Sequence, residues 1–190
     1  MPNFVQIREI LKETLNIYSL SNRQACLAKN KKNAAVLVII HCYANTPNIL
    51  LTKRSGTLYN HPSQVSFPGG NFCPNDLTPL STAIRETNEE IGINIPSEYI
   101  IGSLQVVQTT TSNYDIYPFV AMVEKLTKPR PNEEVQKIFS IPINVLETMV
   151  YNNRINEGHA DEQDLRIKWQ DMIIWGATAR IIKQLLNYLR

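Results

Sequence analysis

Residues 69–93 read GGNFCPNDLTPLSTAIRETNEEIGI, a glycine pair followed by a capped, acid-rich helical pattern. Thr78 followed by Pro79 suits a helix start, with a side-chain oxygen at the N-cap and a residue of preset φ behind it. Gly92 suits the helix stop, where the chain must turn left-handed. Between them Leu80, Ala83, Ile84, Thr87 and Ile91 recur at helical spacing and predict one mostly apolar face. Glu86 and Glu90 lie four positions apart and share another face, with Glu89 beside them. Carboxylates packed this closely repel one another, and a helix keeps them cheaply only when water or a cation neutralises them. A solvated face is the commoner explanation of such a run. Three features weigh against it. The acids are bunched on one edge and do not alternate with lysines. Phe67-Pro68-Gly69-Gly70 ahead of them forms a tight loop whose backbone can approach a ligand closely. Carboxylate and carbonyl oxygens are also the donors that Mg²⁺ and Mn²⁺ prefer.

These residues resemble the Nudix box, the signature of hydrolases that cleave a nucleoside diphosphate linked to another group. That pattern is a glycine, five residues, an acid, a spacer, then Arg-Glu-hydrophobic-x-Glu-Glu-x-Gly-hydrophobic. Gly70 and Asp76 stand at the first two positions, and Arg85 to Ile93 fill the last nine. Thr87 takes the hydrophobic slot, where its methyl can pack, and the acid at 76 is Asp rather than Glu. The spacer from Asp76 to Arg85 is eight residues rather than seven, which is similar to the coenzyme A pyrophosphatase branch. Residues 50–70, LLTKRSGTLYNHPSQVSFPGG, resemble the second signature of that branch. Leu50, Leu51, Thr52, Arg54, Ser55 and Phe67 to Gly70 match it. Tyr59 stands where that signature has an arginine, and Ser63 where it has a glycine. A phenol cannot grip a phosphate bidentately as a guanidinium does.

The resemblance implies an α/β fold of the α+β type, with a mixed β-sheet sandwiched between helices. It implies a single domain over 1–190, with an N-terminal helix over 3–18 and the Nudix box over 70–93. It also implies metal-dependent hydrolysis of a phosphoanhydride, here in coenzyme A or acyl-CoA, giving 3′,5′-ADP and (acyl-)phosphopantetheine. Glu86 and Glu90 are the candidate ligands of Mg²⁺ or Mn²⁺, with the Gly70 carbonyl completing the set. Glu89 is a bridging ligand or the base that takes a proton from the attacking water. Arg85 orients the glutamates through an internal salt bridge, and Asp76 fixes the loop or the helix start. Glu133-Glu134-Val135 resembles a segment common in Nudix proteins. Glu134 is therefore a candidate extra ligand or base, against the commoner role of capping a following helix. Arg54, Lys53, His61 and Ser66 are the candidate substrate contacts, Arg54 being otherwise a plain strand-end charge. Two alternatives stay open. One is another nucleoside diphosphate substrate, such as ADP-ribose, NADH or a dinucleoside polyphosphate. The other is a catalytically idle domain that senses a nucleotide or binds a protein, against which the complete Glu86, Glu89 and Glu90 set argues.

The rest of the 190-residue chain fits this frame. A hydrophobic content of 43% and a formal charge of +2 describe an ordinary globule with a proper core. No dense Lys/Arg run with interleaved aromatics calls for a nucleic-acid partner. Lys29, Lys31 and Lys32 suit a solvated turn. The longest apolar run, Ala34 to Ile40, is too short to span a bilayer, so no membrane association is expected. The N-terminus resembles neither a secretory signal nor a transit peptide, and the C-terminus is not a peroxisomal tripeptide. Cys26, Cys42 and Cys73 show no metal-ligand spacing and suit a reducing, cytoplasmic setting. Cys73 is an incidental thiol, with no base beside it.

Along the chain, Phe4, Ile7, Leu11 and Leu15 form an amphipathic helix stripe. Residues 22–33 are polar and predict a loop. Ala34 to Tyr43 and Ile49 to Arg54 predict a hairpin turning at 45–48. Tyr99 to Thr110 and Tyr114 to Val123 predict strands around a turn at 111–113. Pro129 to Asn132 is a connector, and Leu146 to Asn153 ends a helix. Residues 154–164 predict a loop in which His159 is a surface residue. Leu165 to Trp169 and Met172 to Ile174 are short strands, and Trp175 anchors a final helix carrying Ile181, Ile182, Leu185, Leu186 and Leu189. A sheet edge and an amphipathic N-terminal helix are compatible with a homodimer. The small-molecule partner is a nucleotide.

Overall fold

The computed structural model describes residues 2–15, 31–56, 63–109, 112–152 and 165–190. The expected substrate contact His61, the substituted Tyr59, and His159, Lys29 and Cys26 lie outside these residues. The N-terminal helix expected over 3–18 stops at Thr14, where Leu15 turns extended.

Strands β1 (Lys32–Tyr43) and β2 (Thr46–Arg54) form the predicted hairpin. Its turn is shorter than expected. Ala44 and Asn45 take positive φ values of 48° and 59°, and Thr46 to Asn48 already sit in the ladder. A two-residue turn of this hand matches the twist of the flanking strands, which is why it displaces the longer loop. Beyond the Ile40–Ile49 pair the ladder changes partners. β3 (Val65–Ser66) pairs with Thr52 and Lys53 of β2, and β4 (Gly69–Asn71) pairs with residues 34–36 of β1. The segment carrying Phe67 to Gly70 is thereby built into the sheet as a wedge.

β5 (Ile100–Ser103) and β6 (Val107–Gln108) pair antiparallel with β7 (Tyr114–Val123), which runs parallel to β1 over its whole length. β8 (Val135–Pro142) pairs antiparallel with β2. A strand therefore follows Glu133-Glu134, and Glu134 caps no helix there. Val135 and Ile141 are buried against the sheet, which favours strand over helix for this stretch. β9 (Ile167–Trp169) and β10 (Met172–Ile174) form a separate small hairpin.

Both faces of the main sheet are covered, which explains the near-continuous apolar run of β1. Leu37 and Ile39, with Leu50, Phe119 and Ala121, pack against α2 (Pro79–Ile91). Val38 and Ile40, with Ile49, Leu51, Val120 and Met122, pack on the other side. There they meet α1 (Phe4–Thr14), α3 (Ile143–Asn152) and α4 (Gly176–Tyr188). Phe4, Ile7, Leu11 and Leu15 are buried as the stripe predicts, and Asn3 with Gln6 closes a capping box. Ile181, Ile182, Leu185 and Leu186 of α4 are buried too, but Trp175 is 48% exposed. It is the N-cap, one residue ahead of the first turn and off the buried stripe, so it does not anchor the helix. Among the described residues no helix is long and apolar enough to cross a membrane.

Candidate active site

The helix α2 begins and ends as its sequence dictates. Thr78 and Ser81 close a capping box, Pro79 occupies the first turn, and Gly92 ends the helix at φ 67°. Its buried face is wider than the apolar spacing alone suggests. Thr82, Thr87 and Glu90 are buried with Ala83 and Ile91, whereas Leu80 and Ile84 are only half-buried. Thr87 satisfies its hydroxyl on the Ala83 carbonyl at 2.6 Å. The solvated-face explanation therefore fails for Glu90, half-applies to Glu86 and holds for the exposed Glu89.

What buries Glu90 and half-covers Glu86 is the β4 wedge. The Gly69 N–H donates to Glu90 Oε2 at 3.1 Å. A Cβ at Gly70 would collide with the Glu86 carboxylate, and one at Gly69 with the Ala35 carbonyl. Glycine at both positions is what lets the helix carboxylates lie against strand backbone. Burial raises both acids above the ordinary glutamate range, Glu90 to about 7. For Glu90 the Gly69 N–H and Arg54 pull the other way; for Glu86, Arg85 does.

Two arginines divide the acids between them. Arg85 donates to Asp76 through Nε and Nη2 at 2.9 and 3.0 Å, and to the Asn71 carbonyl at 3.3 Å. Its Nη1 lies 2.9 Å from Glu86 Oε1 and 3.0 Å from Glu89 Oε2. Asp76 also accepts from the Cys73 N–H at 2.9 Å and the Thr82 hydroxyl at 2.8 Å. Arg85 and the Cys73 and Thr82 donors lower this carboxylate's pKa, against burial, which raises it. Arg85 dominates and holds it down to about 2, and the pairing raises the guanidinium in turn. Thr82 is a residue that pattern-reading passed over. Its three-residue spacing from Arg85, which puts both on one helix face, is the signal that points to it.

Arg54, at the end of β2, faces the other side of the cluster. Its Nη1 is 3.8 Å from Glu90 Oε1 and its Nη2 is 3.3 Å from Glu134 Oε2. Glu134 reaches this position because the connector before β8 closes onto the end of α2. The Arg130 and Asn132 N–H groups donate to the Ile91 and Glu90 carbonyls at 2.8 and 2.9 Å. Asn132 then accepts from the Glu134 N–H at 2.9 Å. In the sequence, 129–132 reads only as a linker, because carbonyl capping by a distant backbone leaves no residue pattern.

Of the other candidates, Ser66 is tied to Thr52, whose hydroxyl lies 3.2 Å from the Ser66 carbonyl and 3.3 Å from its Oγ. Lys53 pairs with Val65 and Lys137 in the sheet, and among the described residues no ion pair joins it to the carboxylates. The structure thus gathers Arg54, Gly70, Arg85, Glu86, Glu89, Glu90 and Glu134 and leaves Lys53 at the margin. Cys73 contributes its backbone N–H, not its exposed thiol. Ser63 takes φ 60°, a left-handed conformation that suits glycine.

Among the described residues no three His, Cys, Asp or Glu side chains converge as a ready ligand cluster. The donor chemistry nevertheless suits a hard divalent cation. A buried and a half-buried carboxylate, Glu90 and Glu86, both with raised proton affinity, lie against a glycine backbone beside guanidinium groups.

A NUDIX domain model matches residues 31–160. An uncharacterized Nudix hydrolase NudL of Pectobacterium atrosepticum is 34% identical over 158 residues, covering 82% of this chain and 81% of the relative. Its counterpart in Photorhabdus laumondii is 35% identical over 167 residues, covering 86% and 88%. Among solved structures, the NUDIX domain of Shewanella oneidensis NrtR complexed with ADP ribose superposes at TM-score 0.60 with 14% identity, covering 91% of this chain and 97% of that one. A MutT/nudix family protein from Enterococcus faecalis superposes at 0.61 with 13% identity, covering 100% and 75%. These likenesses concern the fold.

Proposed function

Because the chain belongs to the Nudix hydrolase family, we propose that its Glu86 and Glu90 hold Mg²⁺ or Mn²⁺ and that it cleaves the phosphoanhydride of coenzyme A or an acyl-CoA. The observation that carries the metal site is the packing of the Glu86 carboxylate over Gly70, beside Glu90 on the Gly69 N–H. A buried acid such as Glu90, with a second one beside it, is costly without a cation and useful with one. When bound, the cation supplies charge neutralisation on the phosphate oxygens and acidifies the attacking water.

The chain's own residues do the rest. Arg85 fixes Glu86 and Glu89 from one side, and Asp76 fixes Arg85. Gly70 offers its carbonyl as a further oxygen ligand. Glu89 and Glu134 are the half-exposed carboxylates of the site, with side chains 54% and 52% accessible, so each can reach a water. Glu89 serves as a bridging ligand or as the base, and Glu134 is the second candidate base. The pH–rate profiles of Glu89→Gln and Glu134→Gln separate the two, since only loss of the base removes the acidic limb. Arg54 supplies the substrate side, and Lys53, His61 and Ser66 are the further candidate contacts that the signature suggests.

Coenzyme A is favoured by the eight-residue spacer and by the Leu50 to Gly70 signature. A second substrate reading rests on Tyr59, which removes one guanidinium from that signature and favours another nucleoside diphosphate. Comparing kcat/KM for coenzyme A, ADP-ribose, NADH and a dinucleoside polyphosphate decides between them. Coenzyme A is expected to lead, and a lead of ADP-ribose or NADH by tenfold or more would overturn that choice.

A further inference from the structure

Arg54 is held differently from Arg85. Arg85 grips Asp76 with two bonds of 2.9 and 3.0 Å. Arg54 instead spans two carboxylates at 3.8 and 3.3 Å, one on α2 and one on the segment before β8. Its Nε is buried and has no hydrogen-bond partner among the described residues. The Glu90 side chain is only 7% accessible, so its charge needs a neighbouring cation. Arg54 is that cation on the side away from Arg85, whose own donors are committed to Asp76, Glu86, Glu89 and Asn71.

We propose that Arg54 is the internal counter-cation of the metal-free site, which a divalent cation taking Glu90 displaces, releasing the guanidinium for a substrate phosphate and Glu134 for proton transfer. This rests on the metal reading of Glu86 and Glu90 given above. With Arg54 Nη1 3.8 Å from Glu90 Oε1, a divalent ion held by Glu90 would share this carboxylate with the guanidinium, and two cations would repel in a partly buried setting. The long, loose Arg54 contacts are the ones that give way. Its strand-end position, with a side chain 27% accessible, leaves it room to turn outward. A freed guanidinium presents its paired donors to phosphate oxygens. Glu134, no longer paired with Arg54, is free to turn its carboxylate to a water. Metal loading, phosphate grip and release of a candidate base would then be coupled through one side chain.

The test is calorimetric titration of Mn²⁺ into the wild-type chain, Arg54→Gln, Arg54→Lys and Glu90→Gln, with thermal unfolding of each metal-free protein. Displacement predicts that Arg54→Gln lowers the metal-free Tm yet tightens Mn²⁺ binding roughly tenfold. Arg54→Lys keeps the charge but cannot span both carboxylates, so it too should bind Mn²⁺ more tightly than wild type. Unchanged or weaker Mn²⁺ binding in Arg54→Gln overturns the proposal. So does an Arg54→Lys protein that binds like wild type while Arg54→Gln binds more tightly, which reports distant repulsion without exchange. Should Glu90→Gln bind Mn²⁺ as wild type does, the metal reading itself falls and the proposal with it. Loss of binding in Glu90→Gln without tightening in Arg54→Gln overturns the exchange alone.

Discussion

The Arg85 guanidinium holds the Asp76 carboxylate with both arms, Nε to Oδ1 at 2.9 Å and Nη2 to Oδ2 at 3.0 Å. The pair ties the loop before α2 to the helix, and through Nη1 it sets the positions of Glu86 and Glu89. Asp76 is buried and held at about 2, below its ordinary value of 3.8. A depressed carboxylate stabilises the fold above its unfolded pKa and loses that contribution as pH falls through the folded one. The stabilisation, about 2 kcal/mol, is therefore present above pH ~4 and lost towards pH ~2. Asp76→Asn should cost roughly 2 kcal/mol at pH 7, because a neutral amide replaces the carboxylate that takes two of Arg85's donors, while Arg85 keeps Glu86, Glu89 and the Asn71 carbonyl. Urea denaturation at neutral pH measures it, and a variant as stable as wild type contradicts this role.

Glu90 shifts the other way. Its pKa is raised from 4.5 to about 7, chiefly by burial. The folded state holds this proton more tightly than the unfolded chain, so the group's stabilising contribution is complete below pH ~4.5 and is lost as pH rises through 7. Metal-free protein should accordingly lose roughly 3 kcal/mol from this source between pH 5 and 8. Glu90→Gln should show a flatter profile, and saturating Mn²⁺ should restore the wild-type loss at pH 8. Thermal melts at the two pH values, with and without Mn²⁺, check the sign. Wild-type and Glu90→Gln profiles of equal slope would count against it.

Gly70 is the position where backbone and carboxylate come closest. Gly70→Ala must push Glu86 away from β4. The expected stability cost is about 1 kcal/mol or less, because the atoms that must yield are the end of a flexible, half-buried side chain. Turnover should fall by roughly 100-fold, since a displacement of about 1 Å suffices for that. Steady-state rates at saturating Mg²⁺ alongside Tm separate the two effects. An alanine variant with wild-type turnover would show that Glu86 need not lie over this glycine.

Ser63 sits at φ 60° where the related signature carries glycine. Ser63→Gly should stabilise the protein by about 1 kcal/mol through relief of the left-handed conformation, less what the unfolded chain gains in freedom. Chemical denaturation reads this directly, and a destabilised variant would mean that the serine side chain holds the loop.

Much of this was legible from residues alone. Thr78, Pro79 and Gly92 delimit α2 because capping is local chemistry. The hairpin of β1 and β2 follows from the run of β-branched residues, and the carboxylate cluster from helical spacing. What the sequence hid is long-range. Burial of Glu90 depends on the Gly69 N–H, which comes from a strand wedged between β1 and β2. Glu134 reads as a helix cap until pairing with β2 makes its successor a strand. Trp175 reads as an anchor because large apolar residues usually are, yet it is the exposed N-cap, ahead of the helix and off its buried stripe. In each case the deciding partner is far away in the chain.

The central claim is metal-dependent cleavage of a phosphoanhydride by this acid cluster. Its most direct test is product analysis of coenzyme A incubated with wild-type protein and with Glu90→Gln, each with and without Mg²⁺. The account predicts 3′,5′-ADP and phosphopantetheine from wild type only when Mg²⁺ is present, and a loss of roughly 100-fold or more in Glu90→Gln at unchanged circular dichroism. Cleavage that persists without a divalent cation, or a Glu90→Gln protein turning over near the wild-type rate, would contradict it.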